Sequence, residues 1–208
     1  MQGIPLNERK RLGALLDDRP QTEVMAMIPQ FSQAETDNFV APPAQIPEAL
    51  GVLMFNMERG VNLPEIQEFL QDCPDIQPFD VILANELDDG CARSGNKNTA
   101  RELAQAFGLN YAWGLEFIEL VNDENAKGFH GNAVFSRWPI RRAGVIRLPE
   151  QYNWYFDRQK RIGARVAIVC SLDIGGREVG AVSVHLENRA DSEGREAQMA
   201  VVYDEIKK

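Results

Sequence analysis

Two short apolar runs separated by a capped helix constrain this chain most, because together they predict a β-α-β unit. Residues 51–55 and 79–84 have the length and composition of strands that are buried on both faces. Between them, Asn62 can cap a helix whose first turn holds Pro64 and Glu65. In such units the two strands run parallel and the connection between them is right-handed, so both strands end at the same edge of one sheet. The chain is therefore predicted to be a mixed α/β protein.

Polar side chains follow both strands at that edge. The first strand is predicted to end at Asn56 and the second at Asn85-Glu86, before a loop over residues 87–98 that is rich in Asp, Arg and Gly. Ligands of such sheets favour this edge. A carboxylate directly after a buried strand is costly unless a cation or hydrogen-bond donor meets it. The pattern indicates either a ligand site or a pair of turn caps.

Three acidic residues at this edge have the chemistry of hard-cation ligands. Glu86, Asp88 and Asp89 carry the oxygen donors that suit Mg²⁺, Mn²⁺ or Ca²⁺ rather than zinc. Spacing in a loop does not separate a ligand from a solvated acid, and Asp88 and Asp89 are expected at the surface or beside the site rather than as direct ligands.

The chain has only two histidines, and they are predicted to lie in different kinds of element. His185 ends an alternating strand, whereas His130 is predicted to lie in a loop before a strand. Their separation does not match a zinc-binding motif. Cys170 lies in the middle of an apolar run, so it is expected to be a buried core residue rather than a nucleophile.

Further elements are predicted along the chain. Residues 1–48 are expected to form an N-terminal extension with a short helix and a proline-rich connector, before a domain over residues 49–208. A helix over residues 99–107 should end at Gly108, and a hairpin should turn at Gly175-Gly176. The remaining predictions are a helix at 7–17, strands at 111–120 and 133–136, hairpin strands at 162–172 and 178–186, and a helix at 192–208 with Met199, Val202 and Ile206 on one face.

Charge and composition exclude several classes of protein. The formal net charge is -9, which disfavours a protein that grips nucleic acid over its whole surface. Residues 137–165 nevertheless hold eight bases against two acids, which indicates either an anion-binding face or a solvated surface. Three cysteines without a C-x-x-C spacing favour a reducing compartment, so we expect a cytoplasmic protein. No apolar run approaches the ~18 residues of a membrane span, and the common phosphate-loop, dinucleotide and Ser-elbow motifs are absent.

Five segments in order resemble the motifs of the endonuclease/exonuclease/phosphatase family, the metal-dependent phosphoesterases that include deoxyribonuclease I-like nucleases. The segments are Phe55-Asn56-Met57-Glu58-Arg59-Gly60, Leu83-Ala84-Asn85-Glu86-Leu87-Asp88, Gly131-Asn132-Ala133-Val134-Phe135-Ser136-Arg137-Trp138-Pro139-Ile140, Ser183-Val184-His185-Leu186, and Arg195 with Gln198. Each motif alone is weak, but five in sequence over residues 51–208 are specific.

The resemblance implies a fold, a reaction and a set of residues. The fold would be a four-layer α/β sandwich of two mixed sheets covered by helices, and the reaction would be hydrolysis of a phosphodiester or phosphomonoester. Glu86 would hold Mg²⁺ or Mn²⁺, Asn56 would help to position metal or phosphate, and His185 would contact phosphate oxygens or assist proton transfer. Asn132 and Arg93 are the candidate substrate-binding residues. The substrate would be a small molecule, a lipid headgroup or a nucleic acid, and a monomer is expected.

The sequence departs from the family pattern in its last part. The family's G-D-x-N and S-D-H motifs do not occur, and the sequence stops at Lys207-Lys208. We therefore expect a chain truncated at its C-terminus, with an incomplete site and no activity of its own. The alternatives are that the missing half lies elsewhere, or that the chain is a non-catalytic module that keeps the fold and binds an anion or a protein.

Overall fold

A computed structural model describes all residues, 1–208, as nine strands and five α-helices with short 3₁₀ turns between them. The strands are β1 (Ala34–Asp37), β2 (Val52–Arg59), β3 (Val81–Asp89), β4 (Asn110–Glu119), β5 (Phe129–Ser136), β6 (Ile140–Arg147), β7 (Arg161–Gly163), β8 (Val166–Ile174) and β9 (Arg177–Val184). The helices are α1 (Leu6–Ala14), α2 (Gln21–Ala26), α3 (Leu63–Asp72), α4 (Thr99–Phe107) and α5 (Ser192–Ile206). None of these helices is both long and apolar enough to cross a membrane.

The larger sheet contains six strands, in the order β1-β4-β5-β3-β2, with β7 paired to the second half of β4. Strands β2 and β3 are parallel, as the β-α-β pattern predicts, and β3, β5 and β4 are antiparallel neighbours. The three strands β6, β8 and β9 form a second, antiparallel sheet.

The two sheets and the helices stack in four layers. One face of the larger sheet packs on α1 to α4 in the main hydrophobic core. Its other face packs on the second sheet through Val81, Ala112 and Val134 against Ile168 and Leu172. Helix α5 covers the outer side of the second sheet through Val202. The predicted four-layer α/β sandwich is confirmed.

Local sequence patterns predicted the bounds of several elements correctly. Helix α4 spans Thr99–Phe107, because the side chain of Asn98 accepts a hydrogen bond from the Arg101 amide and Gly108 ends the helix in the left-handed conformation. The hairpin of β8 and β9 turns at Gly175-Gly176, where both glycines have positive φ.

Strand β2 differs from its prediction, because it is an edge strand and not one buried on both faces. Met54 is 75% exposed and Val52 is 56% exposed, whereas Leu53 and Phe55 on the alternate face pack against the main core. The predicted apolar face of α5 is also wrong in part, since Val202 is buried but Met199 and Ile206 are exposed.

The N-terminal residues share the core of the main domain. Strand β1 pairs with β4, and Leu12, Leu16 and Phe31 belong to the main hydrophobic core. The buried guanidinium of Arg9 donates hydrogen bonds to the backbone carbonyls of Asn125 and Lys127. The division of the chain at residue 48 stays a prediction.

Candidate active site

Glu86 lies at a bulge in the middle of β3. Asn56 and Asn85 are partners in the parallel pairing of β2 and β3, and beyond them the register shifts on both sides of β3. Glu86 has φ 60°, a left-handed conformation that is uncommon for a residue with a side chain. Bulges of this kind redirect side chains near functional sites. The prediction that β3 ends at Asn85-Glu86 is wrong, because the strand continues to Asp89.

The bulge is held by Asn132 from the neighbouring strand β5. The side-chain oxygen of Asn132 accepts a hydrogen bond of 3.1 Å from the Glu86 amide, and its amide nitrogen donates to the Val166 carbonyl at 3.4 Å. Asn132 is fully buried. This geometry makes Asn132 a support for Glu86, and its role in substrate binding stays a prediction.

His185 reaches the same place from the second sheet. It directly follows β9, and its Nε2 lies 3.8 Å from Glu86 Oε1. The two sheets are tied together here, because Asn85 Nδ2 donates to the Val184 carbonyl and the Ser183 hydroxyl donates to the Ala84 carbonyl. The side chains of Glu86 and His185 are 22% and 17% exposed, so a small ligand can reach both.

Asn56 lies at the same edge, but its side chain bonds to the backbone of its own strand. Its side-chain oxygen accepts a hydrogen bond of 2.9 Å from the Glu58 amide, and the residue is exposed. No hydrogen bond joins Asn56 to Glu86 or His185. The structure therefore places both Asn132 and His185 next to Glu86, with Asn56 at the same edge.

A buried ion network stands behind His185. Arg165 Nη1 lies 3.0 Å from His185 Nδ1 and 3.2 Å from Glu116 Oε1, and Arg165 Nε lies 3.1 Å from Glu187 Oε2. Trp154 Nε1 donates to the same Glu187 oxygen at 2.8 Å. Burial by itself would raise the pKa of Glu116, but the groups around it, the Arg165 guanidinium foremost, lower it to about 2.

The network continues to Arg93 through the second histidine. His130 Nδ1 lies 2.9 Å from Asp88 Oδ1, and its Nε2 lies 3.7 Å from Glu116 Oε2. Asp88 also accepts both ends of the Arg93 guanidinium, at 2.7 and 2.8 Å. Burial opposes ionisation of Asp88, but hydrogen bonds from Arg93 and His130 lower its pKa to about 2. Arg93 also pairs with Glu119 at 3.0 Å.

These contacts bear on the predictions for both His130 and the charged residues near it. His130 is buried within β5 and does not lie in a loop. Asp88 and Asp89 are buried within β3, so the surface is the wrong one of the two places expected for them. Asp88 lies beside the site, to which His130 links it. Arg93 lines a cavity of about 290 Å³ on the far side of Asp88 and touches neither Glu86 nor His185, so its role in substrate binding stays a prediction.

Sequence reasoning missed Glu116 and its partner Arg165. Glu116 lies in the middle of β4, where every residue is buried. A lone carboxylate inside such a run needs a buried cation, so its position was a usable signal. The identity of the cation was not readable, since Arg165 is 49 residues further along the chain.

The eight bases of residues 137–165 do not form one face. Arg141 and Arg142 pair at the surface with Asp173 and Glu178. Three others turn towards the interior: Arg147, Arg161 and Arg165. Burial lowers the pKa of Arg147, which donates to the carbonyls of Phe31 and Ala164, to about 9.

Gln198, from the last motif, and the cysteines are structural. Gln198 is fully buried, accepts a hydrogen bond from the Glu187 amide and donates to the Pro149 carbonyl, so it holds the segment after His185. All three cysteines are free. Cys170 is buried, and burial raises the pKa of its thiol to about 12, which excludes it as a thiolate nucleophile at neutral pH.

The donor set at the bulge offers one free carboxylate to a metal. No group of three or more His, Cys, Asp or Glu side chains is arranged to hold an ion. The side-chain oxygens of Asn56 and Asn132 already accept backbone amides, which leaves the partly exposed Glu86 carboxylate. Mg²⁺ commonly binds through one or two carboxylates and keeps several waters, so Glu86 fits one position of such a site.

No protein-family model and no curated protein matches the chain. Solved structures do match it. An endonuclease/exonuclease/phosphatase from Beutenbergia cavernae DSM 12333 aligns with a TM-score of 0.55 and 20% identity, over 74% of this chain and 43% of that chain. An endonuclease/exonuclease/phosphatase family protein from Leptotrichia buccalis C-1013-b aligns with a TM-score of 0.51 and 18% identity, over 76% and 63% of the two chains.

The chain thus spans about half of the first protein's length and under two thirds of the second's. The resemblance that the five motifs predict is confirmed for the architecture: this chain has the fold of the endonuclease/exonuclease/phosphatase proteins.

Proposed function

We propose that this chain is part of a divalent-metal-dependent hydrolase of phosphoester bonds. One observation carries the proposal: the bulge in β3 and the end of β9 bring Glu86 and His185, from different sheets, within 3.8 Å of each other. The fold shared with endonuclease/exonuclease/phosphatase proteins supports a hydrolase that acts on phosphoester bonds. The reaction would be attack of water on a phosphodiester or phosphomonoester.

Glu86 would hold Mg²⁺ or Mn²⁺, with Asn56 beside it at the strand edge. The cation, when bound, screens the charge of the phosphate and orients water. Asn132 holds Glu86 in its left-handed conformation through the Glu86 amide. The Nε2 of His185 lies 3.8 Å from the Glu86 carboxylate, and both side chains are partly exposed at this edge of the sheet.

The substrate class follows from the charge of the molecule. The net charge is -9, and the bases of residues 137–165 are divided between surface ion pairs and the interior. Nonspecific binding of nucleic acid needs a continuous positive surface. We therefore favour a small phosphoester or a lipid headgroup over a nucleic acid.

A non-catalytic anion- or protein-binding module is the second candidate. The absence of a group of three metal-ligating side chains favours it. The two candidates differ in one property of the 208-residue chain, since only the hydrolase requires a divalent cation at Glu86.

Binding of Mn²⁺ to the 208-residue chain tests the proposal. We expect paramagnetic Mn²⁺ to broaden the ring resonances of His185, and Glu86→Gln to abolish this broadening while the melting temperature is kept. Loss of the only carboxylate should weaken binding by more than the ~10–100-fold that loss of a contact supporting a metal ligand costs.

Glu68→Gln, an exposed glutamate on α3, is the matched control and should bind Mn²⁺ like the parent chain. If His185 stays sharp in the parent chain, or if Glu86→Gln binds Mn²⁺ equally well, the hydrolase proposal is wrong and the non-catalytic module is favoured. We expect no turnover from the 208-residue chain alone. Turnover of a generic phosphodiester by a chain that also carries the G-D-x-N and S-D-H motifs, and its loss in Glu86→Gln, would establish catalysis directly.

A further inference from the structure

We infer that Arg165 is a positioning residue that fixes His185 as the Nε2–H tautomer. This inference deepens the proposed function, because it assigns the role of His185 at the Glu86 edge. Arg165 Nη1 lies 3.0 Å from His185 Nδ1. A guanidinium only donates hydrogen bonds, so Nδ1 must be the acceptor and the ring proton must be on Nε2. That proton faces Glu86 and the open edge of the sheet.

Arg165 cannot readily turn away from His185. Its side chain is held by two carboxylates, Glu116 at 3.2 Å and Glu187 at 3.1 Å. Its guanidinium also packs against the rings of Phe117 and Trp154, with centroids 5.4 and 5.6 Å away. A donor fixed on all these sides is pre-organised, because little freedom remains to be lost when it binds the imidazole.

Glu116 is the competing partner for His185 Nδ1. Its Oε2 is buried without a hydrogen bond and lies 3.8 Å from Nδ1, too far for a hydrogen bond. A carboxylate there would require a proton on Nδ1. Arg165 prevents this, because it neutralises Glu116 through Oε1 and occupies Nδ1 itself. Without Arg165, Glu116 is the remaining partner and the opposite tautomer is favoured.

The tautomer decides between the two roles that the family resemblance leaves open for His185. With its proton on Nε2, His185 presents a hydrogen-bond donor to the Glu86 edge and has no free lone pair there. It can donate to a phosphate oxygen, on which negative charge grows during hydrolysis, but it cannot accept a proton from water. Arg165 therefore makes His185 a donor to phosphate rather than a general base.

The second histidine provides an internal reference. His130 Nδ1 faces Asp88 Oδ1 at 2.9 Å, and an ionised carboxylate only accepts, so His130 carries a proton on Nδ1. Because the chain has only these two histidines, their ring nitrogens can be distinguished by nitrogen NMR.

The test measures the nitrogen shifts of both rings in the 208-residue chain at about pH 8.5, well above the ~6.5 of a free imidazole. We expect His185 to be protonated on Nε2 alone and His130 on Nδ1. A proton on His185 Nδ1 overturns the inference, whatever the activity of the protein. The expected tautomer without Mn²⁺ binding overturns the proposed function instead, so the two failures are distinguishable.

Variants separate positioning from mere stability. Arg165→Met should move the His185 proton from Nε2 towards Nδ1, and Arg165→Lys should restore part of the Nε2–H population. Arg161→Met is the matched control, because Arg161 is equally buried and packs on the same two rings but pairs with Glu119 and touches no histidine. It should destabilise the protein without changing the His185 tautomer. If both methionine variants leave the tautomer unchanged, or if Arg165→Met does not fold and the parent chain has Nδ1–H, the inference is wrong.

Discussion

Asp88 and Glu116 show how single side chains of this protein depend on their ionic partners. Both are fully buried, and both have a pKa of about 2 because the groups around each of them, a guanidinium foremost, outweigh the effect of burial. Their ordinary values are 3.8 and 4.5, so the folded state binds protons less tightly than the unfolded state. Each carboxylate therefore stabilises the fold above about pH 4.5, and this stabilisation is lost as the pH falls towards 2.

Acid denaturation should report these two groups. Each shift corresponds to a contribution on the order of 2–3 kcal/mol, so the free energy of unfolding should fall steeply between about pH 5 and pH 2. Asp88→Asn should lower stability at neutral pH by roughly 3–5 kcal/mol, because Arg93 loses a buried partner, and should flatten the acid limb. Urea titrations over that pH range measure both effects. Asp123→Asn, which removes an exposed pair with Lys10, is the control, and a slope equal in all three proteins would contradict the prediction.

Single residues also show which features of this protein could be predicted from its sequence and which could not. The end of α4 at Gly108 and the turn at Gly175-Gly176 are local, so the sequence predicts them well. The motif residues Glu86 and His185 were predicted to share a site, and they lie together. Glu116 was missed because its cation, Arg165, lies 49 residues away in the short segment between β7 and β8. Long-range ion pairs have no spacing rule that a single sequence can reveal.

At the scale of elements, strands β2 and β3 look alike in sequence but differ in burial. Both begin with an apolar run, and they pair in parallel. Strand β3 also pairs with β5 and is central, whereas β2 has β3 as its only neighbour and lies at the edge. The strand that decides the burial of β3 lies beyond α4 and β4, which is why the apolar run alone did not distinguish edge from centre.

One substitution in each strand should reveal this difference. Met54→Ser removes an exposed side chain from β2, so we expect a change within about 0.5 kcal/mol in the free energy of unfolding. Ile82→Ala in β3 opens a cavity in the main core and should cost roughly 2–5 kcal/mol. Chemical denaturation of both variants measures the contrast. Comparable losses would mean that β2 is covered in solution.

At the scale of the whole molecule, the N-terminal residues are part of the packing that holds the site in place. Strand β1 continues the larger sheet beyond β4, the strand that carries Glu116. Leu16 is buried in the main core, whereas its neighbour Leu15 is only partly buried at its margin. An extension that was only attached to the surface would not contribute a strand and core side chains together.

Removal of residues 1–48 should therefore abolish cooperative unfolding of the remaining chain. The deletion takes away β1, leaves one edge of β4 unpaired along its first half, and exposes the apolar surface beneath α1 and α2. In the intact chain, Leu16→Ala should cost roughly 2–5 kcal/mol because it leaves a cavity, and Leu15→Ala should cost clearly less since its side chain is partly exposed. Thermal melts followed by circular dichroism compare the three proteins. If residues 49–208 melt cooperatively near the temperature of the full chain, and the two leucine variants behave alike, the N-terminal segment is an accessory and the domain begins after it.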